Sequence, residues 1–252
     1  MDDGWDLHAL CRKIVLSATY RQSSTASGPR AYEADRDNVW LARGPKHRLS
    51  AEQLRDAALH ASGLLVNTIG GPSVMPYQPA GLWEEAGTGK SYQQSTGDGL
   101  YRRSLYTFWK RTAPPPSMLT LDATSRESCT PRRELTTTPL QALVFLNDPQ
   151  YVEASRVLAE KLVTVHGDKL DDRWDELFRR LISRPPTDKE RHVISKLYDE
   201  QLGYFQSDSR RSDEFLKVGA RPVRESPDRA DVSATTVVVQ TIMAYDETIM
   251  LR

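Results

Sequence analysis

The sequence is poor in the residues that build covalent or metal-held scaffolds. Its 252 residues include two cysteines, Cys11 and Cys129, and five histidines. The cysteines are too few for a disulfide framework, and neither residue type shows the spacing of a zinc site. We therefore predict no metal. Because Cys-x-x-Cys-His is missing as well, we expect no cofactor in this chain, and in particular no covalently attached haem.

Long apolar runs are also missing. The longest strongly apolar stretches, residues 142–146 and 237–239, fall far short of the roughly 20 residues that a membrane helix needs. We predict no membrane span. The residues after Met1 show neither a basic start nor an apolar core, so no export signal is visible.

The chain has no net charge that would attract a polyanion to the whole molecule. Lysine and arginine total 34, and so do aspartate and glutamate, so we predict no nucleic-acid partner. Residues 100–133 differ, because seven basic and two acidic side chains give this stretch a local charge of 7 − 2 = +5. Such a stretch attracts anions if its side chains converge.

Familiar catalytic motifs are incomplete. Gly89-Lys90-Ser91 resembles the end of a phosphate-binding loop, but Glu84 stands where the first glycine belongs and no strand is predicted before it. We interpret this stretch as a solvated loop. No Gly-x-Ser-x-Gly elbow is present to activate a serine, so the sequence does not reveal a reaction.

Helical periodicity dominates the rest of the chain. Amphipathic spacing predicts helices over residues 5–17, 50–65, 139–146, 149–165, 171–183, 187–202, 213–219 and 231–250. Capping boxes open two of them, at Ser50 with Gln53 and at Thr187 with Glu190. We expect the first helix to enter a core and its Cys11 to be buried there.

The stretch from 70 to 99 is rich in glycine and proline and fits neither the helical nor the strand period. A loop of this length inside a compact domain is usually functional or mobile. We therefore predict a mainly α fold, an irregular helical domain with a long Gly/Pro-rich loop excursion.

Arginines and aromatic residues are the candidates for ligand binding. A guanidinium binds carboxylate, sulfate or phosphate through two hydrogen bonds, and exposed aromatic faces suit sugar rings or cations. Arginines in loop-rich domains also commonly satisfy buried carbonyls and helix C-termini. A ligand-binding role and a structural role therefore both stay open. The candidate residues are Arg21, Arg55, Tyr77, Trp83, Arg102, Arg103, Tyr106, Arg126, Arg132 and Arg133.

An enzymatic role predicts a carboxylate in a pocket near those arginines, with Glu84, Asp98 or Asp148 as candidates. Asp148, between Asn147 and Pro149, is more readily a helix N-cap than a catalytic acid. A glycosidase would need two carboxylates about 5 to 10 Å apart, a spacing that the sequence alone does not reveal.

Several strings place the chain near a known family. They include Tyr-Arg-Gln-Ser-Ser at 20–24, Leu-Ala-Arg-Gly-Pro at 41–45, Arg-Leu-Ser-Ala-Glu at 48–52, Ile-Gly-Gly-Pro-Ser-Val at 69–74, Pro-Tyr-Gln-Pro at 76–79, the aromatic and basic run at 100–111, and Thr-Pro-Leu-Gln-Ala-Leu at 138–143. With these strings the chain resembles the planctomycete PSD family, domain of unknown function 1553, over nearly its whole length.

The resemblance implies context rather than chemistry. The family's domain normally forms the C-terminal part of large exported proteins, after another domain of unknown function and often a cytochrome-c-like domain. We therefore expect residues 1–252 to be a single domain and a C-terminal fragment of a larger protein, with a loop-rich half (1–150) and a helical half (151–252). The resemblance implies an extracytoplasmic location, upstream domains as partners, and any c-type haem in one of those domains.

Family genes often lie beside sulfatase-like genes, which implies a sulfated, anionic polysaccharide as a further partner. The family offers no established catalytic residues to carry over. Our leading hypothesis is a non-catalytic binding or interaction module that presents the arginine and aromatic residues to such a glycan or to the preceding domains. There are two alternatives. The domain is part of an enzyme that acts on polysaccharide or in cytochrome-linked redox chemistry, or it is purely structural.

The chain departs from the family pattern in two places. Thr136-Thr137-Thr138-Pro139 stands where the family typically has Thr-Asn-Thr-Pro, and Asn38-Val39-Trp40-Leu41 stands where it often has Asn-Arg-Leu-Leu. Any role that the missing asparagine has beside the predicted helix cap is therefore in doubt for this chain.

Overall fold

The structure is a computed structural model that describes residues 4–87, 89–224 and 228–251. Its contacts divide the chain into a first unit, Met1–Leu49 with Met250–Arg252, and a second unit, Ser50–Ile249. The predicted change of character near residue 150 lies inside the second unit. That the whole chain is one domain and a fragment of a larger protein stays a prediction.

The first unit contains two short helices and a small antiparallel ladder. The helices are α1 (Leu7–Leu16) and α2 (Pro29–Ala34), and β1 (His47–Arg48) pairs with β2 (Met250–Leu251). No apolar side chain is buried among the described residues of this unit. The burial of apolar surface therefore contributes little to its stability.

The first predicted helix exists, but its predicted burial is wrong. Asp6 caps α1 by accepting a hydrogen bond from Ala9 N at 3.0 Å, yet no residue of α1 is buried, and Leu10 is 53% exposed. Cys11 is exposed as well. Periodicity identifies the apolar face of a helix, whereas burial also requires an element that packs against that face.

The second unit is built almost entirely from helices. They are α3 (Ala51–Ser62), α4 (Leu82–Glu85), α5 (Pro116–Thr120), α6 (Pro139–Asn147), α7 (Pro149–His166), α8 (Leu170–Ile182), α9 (Asp188–Gln206), α10 (Ser209–Leu216), α11 (Arg229–Met243) and α12 (Asp246–Ile249), with 3₁₀ turns at Gly97–Leu100 and Ser104–Tyr106. Since the only strands in the described chain are the two of the first unit, the mainly α prediction is confirmed.

Local capping chemistry sets several helix starts. The Ser50 hydroxyl accepts from Gln53 N at 3.3 Å while the Gln53 side chain accepts from Ser50 N at 2.9 Å, which completes the predicted box at α3. Thr187 and Glu190 form the same arrangement at α9. These boxes satisfy amide groups that have no partner within the helix.

Helix α7 is the centre of the second unit's core. It packs against α11 and α3, and α11 also packs against α9. The side chains of Leu158 on α7, Val238 on α11 and Trp174 on α8 are completely buried. Because α7 is buried on nearly all sides, its charged residues must be paired, as in the 2.5 Å contact between Arg156 Nη1 and Glu160 Oε1.

The Gly/Pro-rich excursion at 70–99 is confirmed for its described residues, with α4 as its only helical segment before the 3₁₀ turn at Gly97. Hydrogen bonds connect distant residues within this excursion. Tyr92 donates its hydroxyl to Pro76 O at 2.5 Å, and Ser95 N donates to Met75 O at 2.8 Å. Lys90 and Ser91 are exposed and outside any helix, in agreement with the solvated-loop interpretation.

None of the described helices combines the length and the apolar composition that crossing a lipid bilayer requires.

Candidate functional site

A cleft of about 500 Å³ lies in the second unit, between the loop at 77–79, α5 and the junction of α6 with α7. Its exposed surface is mainly apolar, with three side-chain amides and one charged group among the described lining residues. The lining consists of Tyr77, Gln78, Pro79, Gln94, Pro116, Ser117, Thr120, Leu140, Leu143, Val144, Asn147, Asp148 and Pro149. Its volume and composition are typical of pockets that hold small ligands, which run from about 300 to 1,000 Å³.

The charged group, Asp148, is placed by a break between two helices. It is the C-cap of α6 and the N-cap of α7, and Pro149 occupies the first position of α7. Proline suits that position because its missing N–H would have no helical partner there. The Asp148 Oδ1 accepts from Gln150 N at 2.9 Å, so the predicted N-cap role is confirmed.

Burial raises the pKa of the Asp148 carboxyl above its ordinary value. Hydrogen bonds from Gln150 N and the Ser117 side chain, together with the charge of Arg55, act in the opposite direction but do not outweigh it. The carboxylate is therefore short of stabilisation in its charged form. A cation or a hydrogen-bond donor brought into the cleft would supply that stabilisation.

A smaller cavity of about 20 Å³ lies next to the cleft and shares Tyr77, Ser117 and Asp148 with it. Arg55 and Gln150 also line this cavity. It has room for a single group the size of a water molecule.

Arg55 fixes the orientation of the Gln150 amide. The Arg55 Nε and Nη2 donate to Gln150 Oε1 at 3.1 and 2.9 Å. The amide oxygen is therefore turned toward the guanidinium, and the Nε2 must point elsewhere. That Nε2 is buried and has no hydrogen-bond partner among the described residues; the whole residue is 4% exposed.

Gln78 supplies a second unpaired donor. Its Nε2 is also buried without a hydrogen-bond partner in the described part of the chain, and the residue lines the larger cleft. A buried donor without an acceptor costs about 1 to 3 kcal/mol. Gln78 lines the cleft and Gln150 lines the smaller cavity, so a small side-chain rotation would bring either amide to a carbonyl or hydroxyl oxygen placed there.

A buried hydrogen-bond network holds one wall of the cleft. The Tyr77 hydroxyl donates to Glu153 Oε2 at 3.0 Å and accepts from Ala220 N at 2.6 Å. Tyr101 OH and Arg221 N donate to Glu153 Oε1 at 3.0 and 2.6 Å. Burial raises the pKa of the Tyr77 phenol, and it raises that of Tyr101 to about 12. Both phenols therefore stay protonated at neutral pH and can donate to Glu153.

The buried Arg55 side chain connects α3 to the loop at residues 100–102 through hydrogen bonds. Besides Gln150, it donates to Leu100 O through Nη2 and to Arg102 O through Nη1, each at 2.8 Å. Its residue exposure is 5%. Its hydrogen-bonding groups face internal acceptors, which is the structural role that the sequence left open.

Arg102 likewise stabilises the glycine-rich turn at residues 68–72 through hydrogen bonds to its backbone carbonyls. Its guanidinium donates to Pro72 O and Thr68 O at 3.0 Å, and to Gly70 O. It also lies 3.8 Å from the centre of the Tyr106 ring, whose hydroxyl accepts from Gly70 N at 2.8 Å. Arg102 and Tyr106 thus hold the start of the excursion.

Trp83 is 6% exposed and packs edge-on against Tyr92 and beside Phe108, with ring centres 5.2 and 5.8 Å apart. The Lys110 ammonium lies 4.1 Å from the Trp83 ring centre. The ring face is therefore occupied within the protein.

Arg103 and Arg133 are exposed and face carboxylates. Arg103 Nε lies 3.8 Å from Asp56 Oδ2, and Arg133 Nη1 donates to Glu52 Oε2 at 2.6 Å. Arg126 lies 4.8 Å from the centre of the Trp109 ring. Arg103 and Arg133 thus both contact α3, whereas Arg126 lies beside Trp109.

Arg132 is exposed, and Arg21 is exposed in the first unit. Of the ten candidate residues, the described lining of the cleft and the smaller cavity includes Arg55 and Tyr77. A ligand-binding role stays a prediction for all ten, including these two.

One of the three candidate carboxylates lies where the enzymatic hypothesis requires it. Asp148 lines the smaller cavity together with Arg55, whereas Glu84 and Asp98 are exposed and lie outside the cleft lining. No second carboxylate is found among the described lining residues of the cleft. The pair that a glycosidase uses is thus not assembled there by the described residues.

The amides of Gln78 and Gln150 were not predicted as site residues. No local pattern marks them, because their importance comes from burial and from the direction in which Arg55 turns one amide. The Pro-Tyr-Gln-Pro string at 76–79 was recognised as a motif, and it does contain Tyr77 and Gln78 of the cleft wall.

Within the described ranges, no three His, Cys, Asp or Glu residues converge in a way that could hold a metal ion. The expectation of no metal and no cofactor stays a prediction.

Comparison with known proteins gives a family and no function. No curated protein and no solved structure matches the chain. The family model PSD1, described as a protein of unknown function (DUF1553), matches residues 1–198. That match covers most of the chain, and it agrees with the signature strings that run from Tyr20 to Leu143. The chain therefore belongs to the PSD1 (DUF1553) family.

Proposed function

We propose that the chain is a binding module and that its ligand lies in the cleft lined by Gln78 and Asp148. The observation that carries this proposal is the buried, unpaired Gln78 Nε2 in an otherwise largely apolar cleft. Native proteins rarely leave such a donor unsatisfied. An acceptor oxygen on a ligand with apolar surface would satisfy the amide and cover the aliphatic walls.

The cleft favours a neutral or cationic ligand over an anionic one. Asp148 is the one charged residue in its described lining, and no lysine or arginine lines it there. A sulfated polysaccharide would bring its negative charge against that carboxylate. An anionic glycan would instead have to use the exposed Arg103, Arg126 and Arg132 outside the cleft.

Binding of two neutral probes tests the proposal. N-acetylleucine methylamide and cellobiose both carry acceptor oxygens, and they differ in their apolar surface. We expect at least one to bind, and Gln78→Leu to weaken that binding by about tenfold, the equivalent of one lost hydrogen bond in a buried site. Isothermal titration calorimetry measures both affinities.

Gln93→Leu is the matched control. Gln93 is exposed, contacts Ser91 Oγ at 3.1 Å, and lies outside the cleft lining. Its substitution should leave probe affinity unchanged. If neither probe binds the wild-type protein, or if both leucine variants reduce affinity equally, the cleft is not the ligand site.

The anionic-glycan version is tested by titration with dextran sulfate and with dextran of the same length. Charge-dependent binding that Arg132→Ala weakens would support it. If neither polymer binds, the anionic-glycan hypothesis is wrong. Upstream domains would then remain as the proposed partners of the exposed arginines.

A further inference from the structure

We infer that the cleft takes an extended polypeptide segment that places a lysine or arginine side chain at Asp148, an inference that rests on the proposed binding function. It adds the class of ligand and its charge. Three features of the lining lead to it: the side-chain amides, the shape of the walls and the single carboxylate.

The amides match a polypeptide backbone. Gln78, Gln94 and Asn147 all line the cleft. Each side-chain amide carries a donor nitrogen and an acceptor oxygen, which is the complement of a peptide group with its own N–H and C=O. Asn147 Nδ2 uses one N–H on Leu143 O at 3.0 Å, and the second N–H, the Asn147 oxygen and the two glutamine amides suit a ligand that repeats the peptide unit along its length.

The walls suit aliphatic side chains rather than sugar rings. Leu140 and Leu143 are 60% and 50% exposed at the cleft, so they offer apolar surface that a leucine-like side chain would cover. Sugar rings pack on flat aromatic faces. Tyr77 is the one aromatic residue in the described lining, and Trp83, which is not part of that lining, is buried against Tyr92 and Phe108.

The carboxylate gives the charge of the ligand. Asp148 is the one charged group in the described lining, and burial raises its pKa. Arg55, which lines the smaller cavity, directs its hydrogen bonds to Gln150, Leu100 and Arg102. A ligand cation on the cleft side would complement the carboxylate that Arg55 does not neutralise.

A charge series of capped tripeptides tests the inference. The probes are acetyl-leucyl-lysyl-leucinamide and its analogues with norleucine or glutamate at the middle position. We expect the lysine probe to bind about fivefold more tightly than the norleucine probe, the gain typical of a partly exposed ion pair. We expect the glutamate probe to bind more weakly than the norleucine probe.

Asp148→Asn is the decisive variant. Asparagine caps helices as well as aspartate does, so the variant keeps the fold of the α6–α7 junction while it removes the charge. It should bring the ratio of lysine-probe affinity to norleucine-probe affinity close to one. Glu84→Gln, at an exposed carboxylate outside the cleft lining, should preserve the preference.

The outcomes separate the inference from the proposed function. If the three peptides bind equally and Asp148→Asn changes nothing, the inference is wrong but the binding module stands. If cellohexaose binds and no peptide does, the ligand class is wrong. If neither a peptide nor cellobiose nor N-acetylleucine methylamide binds, the proposed function fails together with the inference.

Discussion

Buried arginine side chains organise the loop-rich part of the second unit. Arg55 and Arg102 use their guanidinium groups to satisfy backbone carbonyls at residues 68–72 and 100–102. A loop has few partners for its own backbone, so such side-chain donors replace the hydrogen bonds that a helix or sheet would supply. The same residue type therefore fixes the fold at these positions, whereas it remains exposed at Arg132.

Substituting one arginine of each kind tests that difference. Arg102→Ala leaves several carbonyls without a donor and removes the contact with the Tyr106 ring, so we expect a loss of about 3 kcal/mol in the free energy of unfolding. Arg132→Ala should change it by less than about 0.5 kcal/mol. Urea unfolding followed by circular dichroism measures both, and equal effects would contradict the structural role of Arg102.

At Asp148 the cap and the charge have opposite effects on stability. Because the folded pKa is raised, stability is lost as the pH rises from the unfolded pKa through the folded one. We therefore expect Asp148→Asn to be as stable as the wild type at pH 7 or slightly more stable. Asp148→Ala removes the cap and should lose about 1 kcal/mol.

Urea titrations of the two Asp148 variants at pH 7 check this order. If Asp148→Asn lost as much stability as Asp148→Ala, the charge itself would be stabilising, and the carboxylate would not be in need of a ligand cation.

Helix starts are the part of this fold that the sequence predicts best. Ser50 with Gln53, Thr187 with Glu190, and Asp148 with Pro149 are local signals, and each helix begins where its signal stands. The predicted last helix, 231–250, ends earlier, at Met243, and α12 follows after a break. Its continuous apolar pattern did not reveal that break.

An ion pair at the start of α9 makes the stability of the protein depend on pH. Arg184 Nη2 lies 2.7 Å from Glu190 Oε1, and this contact lowers the pKa of Glu190 to about 2. A lowered pKa contributes stability above the unfolded value, 4.5, and that stability is lost as the pH falls through about 2. Glutamine at 190 can still complete the capping box with Thr187.

We therefore expect Glu190→Gln to be less stable than the wild type at pH 6 and to approach it by pH 2. Thermal unfolding at pH 6, 4 and 2 measures the difference. Glu200→Gln, at an exposed position of the same helix whose nearest cation is Lys196 Nζ at 3.9 Å, should show no such trend. A difference that stays constant with pH would show that the ion pair with Arg184 is not its source.

At the scale of the whole molecule, within the ranges that the structure describes, apolar burial is confined to one unit. Every buried apolar side chain among the described residues lies between Ala51 and Ile249, so the second unit contains the core. The exposed α1 shows why the sequence did not predict this: helical spacing is the same whether or not an element covers the apolar face.

The distribution of apolar burial predicts that residues 50–249 fold without the first unit. We expect this fragment to unfold cooperatively, within a few degrees of the full chain, whereas residues 1–49 alone should lack stable structure because they bury no apolar core. Differential scanning calorimetry of the two fragments decides it. A molten or unfolded 50–249 fragment would mean that the first unit is required for the core.

The cleft could not be predicted from the sequence because it forms only in the folded chain. Its walls come from residues 77–79, 94, 116–120 and 140–149, which no local motif connects. The basic stretch at 100–133 predicts an anion-binding surface, but some of its arginines have partners inside the protein, as Arg102 does with Pro72 O and Thr68 O. The Nε2 atoms of Gln78 and Gln150, which have no hydrogen-bond partner among the described residues, can be identified only from the positions of the donors and acceptors around them.

The central claim is that the Gln78 Nε2 donates a hydrogen bond to an oxygen of the bound ligand. The nuclear magnetic resonance signal of the Gln78 side-chain amide tests that claim most directly. Side-chain ¹⁵N–¹H resonances are recorded during titration with the acetyl-leucyl-lysyl-leucinamide probe and assigned with Gln78→Leu. We predict that the Gln78 Nε2 protons shift downfield in a saturable manner while those of Gln93 do not move. Saturable binding without a shift at Gln78, or no binding at all, would contradict the account.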